Sequence, residues 1–204
     1  MKIMLFLGYE QKEFFMDAFF TLPYSEACVI DEIQHSFAKK EGYSVYIPVS
    51  RQEKAVDFIL INQNTTKTAR FQVKSSRNYD GNMDKKNPDY RYNMWFNNFI
   101  GKYQKGAADF YILFGLYPVY NTDSKITSKL QSWKRMVLCI PDKDMGSILK
   151  KVLTKTTGKP DKFFGISFNK VEDIWGTRGF KNQTKFEQYL LKDQIDTVKQ
   201  FVEQ

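Results

Sequence analysis

Histidine is nearly missing from this chain of 204 residues, which has only His35, and cysteine occurs twice, at Cys28 and Cys139. With no Cys-x-x-Cys pair and a single imidazole, a zinc site lacks its soft ligands. The two thiols lie far apart in apolar surroundings and read as small packed hydrophobes in a reducing cytosol. No apolar run approaches the ~20 residues a membrane helix needs. The opening apolar stretch, residues 3–7, is too short for a signal segment, and Glu10 and Glu13 follow it at once. Repeats, low-complexity tracts and linkers are also absent. These absences predict one soluble cytoplasmic domain over residues 1–204, without a membrane segment and long enough to bury a core.

Positive charge is abundant. The formal net charge is +8 and the pI about 9.3, values that point to a polyanionic partner. The excess is local. From Lys67 to Lys105 the chain carries nine Lys or Arg against three Asp, whereas Met1 to Asp57 carries six basic against nine acidic residues.

Periodicity predicts a mixed α/β order. Pro23 and Ser25 read as a helix start with Ser25 as N-cap, and Val29, Ile30, Ile33 and Phe37 follow at helical spacing until Gly42. Strands are expected over 43–48, 56–62 and 68–75, the last two joined by turn residues 62–67. A polar loop over 78–89 precedes a strand at 90–96 and a short helix ending at Gly106. Further strands are expected at 109–116, 135–140 and 163–168, with a loop over 121–132. A helix over 142–153 would be capped by Asp142. A last helix, 184–202, would open with a Thr184/Glu187 capping box.

One hairpin carries the chemistry. Facing residues of an antiparallel pair keep a constant positional sum and lie ~5 Å apart. A turn centred between Asn64 and Thr65 sets Asp57 opposite Gln72; a turn one residue later sets it opposite Lys74. Gln72 and Lys74 share a strand face. Asp57 and the Gln72 carbonyl oxygen are hard ligands of the kind Mg²⁺ takes, with Mn²⁺ as substitute. Lys74 could orient or deprotonate a water, or offset charge on a pentavalent phosphorus. On the preceding helix, Glu26 shares the inward face of Ile30, Ile33 and Phe37, while Glu32 lies well off that face. The competing reading is an ordinary amphipathic hairpin with solvated Gln72 and Lys74.

These residues resemble the PD-(D/E)XK nuclease superfamily over about residues 25–116, with 117–204 as a C-terminal α/β elaboration. The resemblance implies a restriction-endonuclease-like core, a central mixed sheet flanked by helices, and metal-dependent hydrolysis of DNA phosphodiesters. It maps the motif Asp onto Asp57, the (D/E) position onto Gln72, the Lys onto Lys74 and the helix Glu onto Glu26. Val56 stands where the motif has Pro. Gln72 departs more, because a neutral amide binds Mg²⁺ more weakly than a carboxylate. Ser75, Ser76, Arg77 and Asn78, with Lys102 and Lys105, are the expected nucleic-acid contacts. Tyr90, Tyr92, Trp95 and Phe96 interleave with Arg91 and Asn93, as a nucleic-acid platform would, although most such rings belong in a core. The expectation is a restriction, junction-resolving or repair endonuclease. Cutting both strands of a duplex takes two sites and so favours a homodimer. A non-catalytic nucleic-acid-binding protein on the same fold is the alternative, and an interaction or structural protein with a coincidental hairpin is a third.

Overall fold

The computed structural model describes residues 23–48, 55–80, 90–97, 99–120, 130–152, 163–182 and 184–204. Within them the chain is mixed α/β, dominated by a large, mostly antiparallel sheet with few helices. Helix α1 (Tyr24–Ser36) leads into a meander of β1 (Tyr43–Tyr46), β2 (Phe58–Asn62) and β3 (Thr68–Asp80). Then come β4 (Tyr92–Asn97), the short α2 (Phe99–Lys102), β5 (Phe110–Tyr120), β6 (Leu130–Pro141) and α3 (Asp142–Lys150). Strands β7 (Phe163–Phe168), β8 (Ile174–Gly176) and β9 (Thr184–Lys185) precede the closing helix α4 (Leu191–Glu203).

The sheet forks at β3. One limb runs β1-β2-β3-β5-β6, and the other leaves β3 through β4, β7, β8 and β9. All pairings are antiparallel except β3 with β5. Strand β3 turns the backbone of Arg70 towards β5, where Arg70 O accepts the Asp109 amide. By alternation, Phe71 and Val73 turn the other way, towards β2. That second edge serves β2 along Thr68 to Phe71 and β4 along Asn78 to Asp80. The stretch between belongs to neither.

Two cores lie on opposite sides of the first limb. On one side α1 and α4 pack Val29, Ile33 and Val198 against Phe58, Leu60 and Phe71. Phe71 stacks between Phe58 and Phe110, at centroid distances of 4.6 and 5.3 Å. On the other side Tyr111, Leu113 and Leu138 meet Met94, Phe96 and Ile166 of the second limb. Helix α4 is tied down at its end, where Glu203 accepts a 2.6 Å bond from the Tyr43 hydroxyl and Val202 O one from Thr65.

Several local expectations give way to longer-range pairing. The first helix ends at Ser36, and Gly42 closes a separate 3₁₀ turn with φ +89°. Pro23, not Ser25, takes its N-cap position. Strand β3 runs on to Asp80, through residues read as turn, while 81–89 lie outside the described residues. Strands β5 and β6 also extend beyond 109–116 and 135–140, into a long hairpin whose tip, 121–129, is likewise outside them. Asp142 does not cap its own helix; its carboxylate accepts from the Tyr103 hydroxyl and the Gly106 amide. The last helix starts at Leu191, because Thr184 pairs with Gly176 in β9 and Phe186 turns fully into the core. Glu187 bonds Lys185 at 3.1 Å instead of closing a capping box.

Asp109 clamps β3 to β5. It accepts from the Arg70 amide at 2.8 Å and from the Arg70 guanidinium at 2.9 and 3.1 Å. Asp109→Ala leaves the Arg70 amide unmatched, while the part-exposed guanidinium keeps Gly106 O as a partner, and urea unfolding should read a loss of about 1–2 kcal/mol.

Candidate active site

Turn chemistry fixes the hairpin register. Asn62 Oδ1 accepts the amides of Asn64 and Thr65 at 3.0 and 3.4 Å, and Asn62 N donates to Lys67 O at 2.9 Å. Phe58 therefore pairs with Phe71. That is the register of a turn centred between Asn64 and Thr65, but Asp57 lies just outside the ladder, its amide joined to Phe71 O rather than paired with Gln72.

Asp57 sits where β2 ends and β3 continues. Its amide donates to Phe71 O at 2.8 Å, and its Oδ2 accepts the Val73 amide at 2.6 Å. The carboxylate thus occupies the line β2 would have followed, in the plane of the sheet. There it can be approached from the helix face and from the face that Gln72 and Lys74 share. One bond to Oδ2 leaves Oδ1 and further lone pairs for a ligand.

The other members flank this gap from the two faces of the sheet. Gln72 is 8 % exposed and Glu26 is 6 % exposed, Glu26 projecting from the first turn of α1. Lys74 is half-buried. Burial holds its ammonium below the usual lysine pKa and the nearby Lys102 adds to that lowering, while the charges of Asp57 and Glu26 oppose it. Three charged groups therefore act on Lys74. Glu32 is elsewhere; it pairs with Arg135 at 3.4 Å, and burial raises its pKa, with Arg135 opposing.

The donor set is two carboxylates and one amide oxygen. Among the described residues no three His, Cys, Asp or Glu side chains gather as a metal site. These hard oxygens suit Mg²⁺ or Mn²⁺, with water and phosphate completing the shell.

The expected nucleic-acid contacts divide. Ser75 and Arg77 are exposed, as are Lys102 and Lys105 on and after α2. Ser76 and Asn78 are committed to the fold: Ser76 Oγ accepts the Trp95 amide at 2.9 Å and Asn78 Oδ1 the Asn93 amide at 3.1 Å. Tyr92 and Phe96 are core residues. Tyr79 and Arg178 escaped the sequence reading, yet Tyr79 stacks on Trp95 at 4.1 Å and Arg178 lies 4.7 Å over the same ring. The signal for Tyr79 was its alternation with Arg77, legible only if β3 extends to Asp80.

Comparison with family models, curated proteins and solved structures found no match. The reading of this site rests on its own chemistry.

If Gln72 supplies a metal ligand, Gln72→Glu adds the missing charge. Thermal unfolding with and without Mn²⁺ should then show a larger metal-induced rise in Tm for the variant. A tenfold gain in affinity is worth about 1.4 kcal/mol at saturating metal. An unchanged rise would set Gln72 outside the ligand set.

Proposed function

We propose that this chain is a metal-dependent DNA endonuclease of the restriction, junction-resolving or repair type. The observation that carries the reading is Asp57, seated on the Val73 amide in the gap of the β3 edge, with the charges of Asp57 and Glu26 both acting on the half-buried Lys74 ammonium. The element order supports it. Apart from the inserted β4, the order of a helix, three antiparallel strands, a short helix and a strand parallel to the third resembles the core of the PD-(D/E)XK superfamily. The basic stretch from Lys67 to Lys105 supports DNA as the polyanion.

In this reading Asp57, Glu26 and Gln72 would hold Mg²⁺, which when bound acidifies water and polarises a phosphoryl oxygen. The chain's own part is positioning and proton transfer. Burial makes the Lys74 ammonium easier to deprotonate, so its amine can take the proton of a water aligned with phosphorus. A new O–P bond forms as the bond to the leaving oxygen breaks, and Lys74 also offsets charge built up on phosphorus. Lys102 and Lys105 stand exposed beside the site and suit the DNA backbone. Double-strand cutting would pair two such sites in a homodimer.

The second reading is a nucleic-acid-binding protein that keeps the fold without cutting. Gln72 favours it, since an amide supplies one charge fewer than a carboxylate.

Supercoiled plasmid incubated with Mg²⁺, Mn²⁺ or EDTA separates the two, with branched DNA alongside because a resolvase ignores plain duplex. Metal-dependent cutting is expected, reduced at least ~100-fold in Asp57→Ala and in Lys74→Ala. Salt-sensitive binding without cutting of either substrate would favour the binding protein.

The pH profile tests the role of Lys74. A base must lose its proton to act, so the cutting rate should climb with pH towards the lysine pKa, and a lowered pKa starts the climb earlier. Lys74→Arg, which keeps its proton, should flatten the climb.

A further inference from the structure

The second limb of the sheet has one face in the core and one outside it. Met94 and Phe96 of β4 and Phe164 and Ile166 of β7 point inward. Their neighbours point outward, and among the described residues no helix covers them. Arg77, Tyr79, Trp95 and Trp175 stand on that outer face at exposed or half-buried positions.

These side chains form a ladder of flat groups. The Arg77 guanidinium lies 4.7 Å over Tyr79, Tyr79 stacks on Trp95 at 4.1 Å and 19°, and Arg178 lies 4.7 Å over Trp95. Trp175, on the neighbouring β8, has Lys185 5.1 Å over its ring. Gly165 faces Trp95 across the β4–β7 pair. A Cβ there would come within 2.6 Å of the Trp95 ring and 2.9 Å of Arg178 Cβ, so only glycine leaves room for this stack.

Polar atoms on the same face are left over. Asn93 is 0 % exposed; its Oδ1 accepts from Ser167 at 2.5 Å, but its Nδ2 has no hydrogen-bond partner among the described residues. The indole Nε1 of Trp95 is buried and equally unmatched. A buried donor without an acceptor is costly; both donors lie beneath the stack, shielded from solvent.

Stacked rings, guanidinium planes and positive charge together fit one chemistry. Unpaired nucleobases offer flat faces and acceptor edges, and their backbone offers phosphates; a duplex hides those faces. We propose that this outer face binds a single-stranded stretch of nucleic acid. Its bases stack on the exposed Arg77 end of the ladder and on Trp175, and its phosphates meet Arg77. The proposal stands whether or not the chain cuts DNA. Strand β3 carries Lys74 and Tyr79 alike, five residues or about 17 Å apart and by alternation on opposite faces, so this surface is distinct from the Lys74 side of the candidate active site.

The test is an anisotropy titration of the full chain in EDTA, which removes cutting from the readout. The probes are a labelled oligothymidylate of about a dozen nucleotides, an abasic strand of the same length and charge, and a duplex of that length. The base-bearing strand should bind roughly tenfold or more tightly than the abasic one and more tightly than the duplex. Arg77→Ala and Trp175→Ala, both at exposed or half-buried positions, should each weaken it several-fold, while Trp175→Phe retains most of the affinity. Equal binding of base-bearing and abasic strands, a preference for duplex, unaffected variants, or no binding would each overturn the proposal.

Discussion

A β-strand has two hydrogen-bonding edges, and β3 must serve three neighbours with them. Strand β5 takes one edge over Phe71 to Arg77. The other is divided between β2 and β4, which cannot both be adjacent at its middle. Between them an amide would lie open at Val73, and an unmatched amide there is unfavourable. The Asp57 carboxylate closes it at 2.6 Å. The fork in the sheet and the position of the acid are therefore one fact. Where the two limbs part, the Asp57 carboxylate takes the place of a strand partner for the Val73 amide.

The hairpin was legible in the sequence because its determinants are local. Asn62 to Lys67 is a turn by composition, and the turn centre fixes which residues face each other. The inward direction of Glu26 followed from helical spacing in the same way. The length of β3 was not legible. Ser75, Ser76 and Asn78 carry the side chains of a turn, and by local preference the strand should have stopped. Instead Ser76 Oγ and Asn78 Oδ1 accept amides of β4, so the very groups that make these residues turn-formers hold a strand junction together. At 184–187 a Thr and a Glu at capping-box spacing lost to pairing with Gly176 and to burial of Phe186. Asp142, first in its helix, was drawn to Tyr103 and Gly106. In each case a partner distant in sequence outweighed a motif worth about 1 kcal/mol.

Gln72 and Lys74 belong to one electrostatic problem. Burial pushes the Lys74 ammonium towards its neutral form, Lys102 adds to that, and Asp57 and Glu26 resist. A third carboxylate at position 72 would strengthen the resistance, raise the Lys74 pKa and keep it protonated at higher pH. It would also bind a divalent ion better, by one charge. In the proposed nuclease an amide would reverse both consequences: an ion would be held less tightly, and the lysine would give up its proton more readily. For a group asked to accept a proton from water, the second effect compensates part of the first. The departure at Gln72 is thus not a plain subtraction from a metal site. It shifts the balance from the ion towards the lysine, and the carboxylate count alone does not decide whether the site is active.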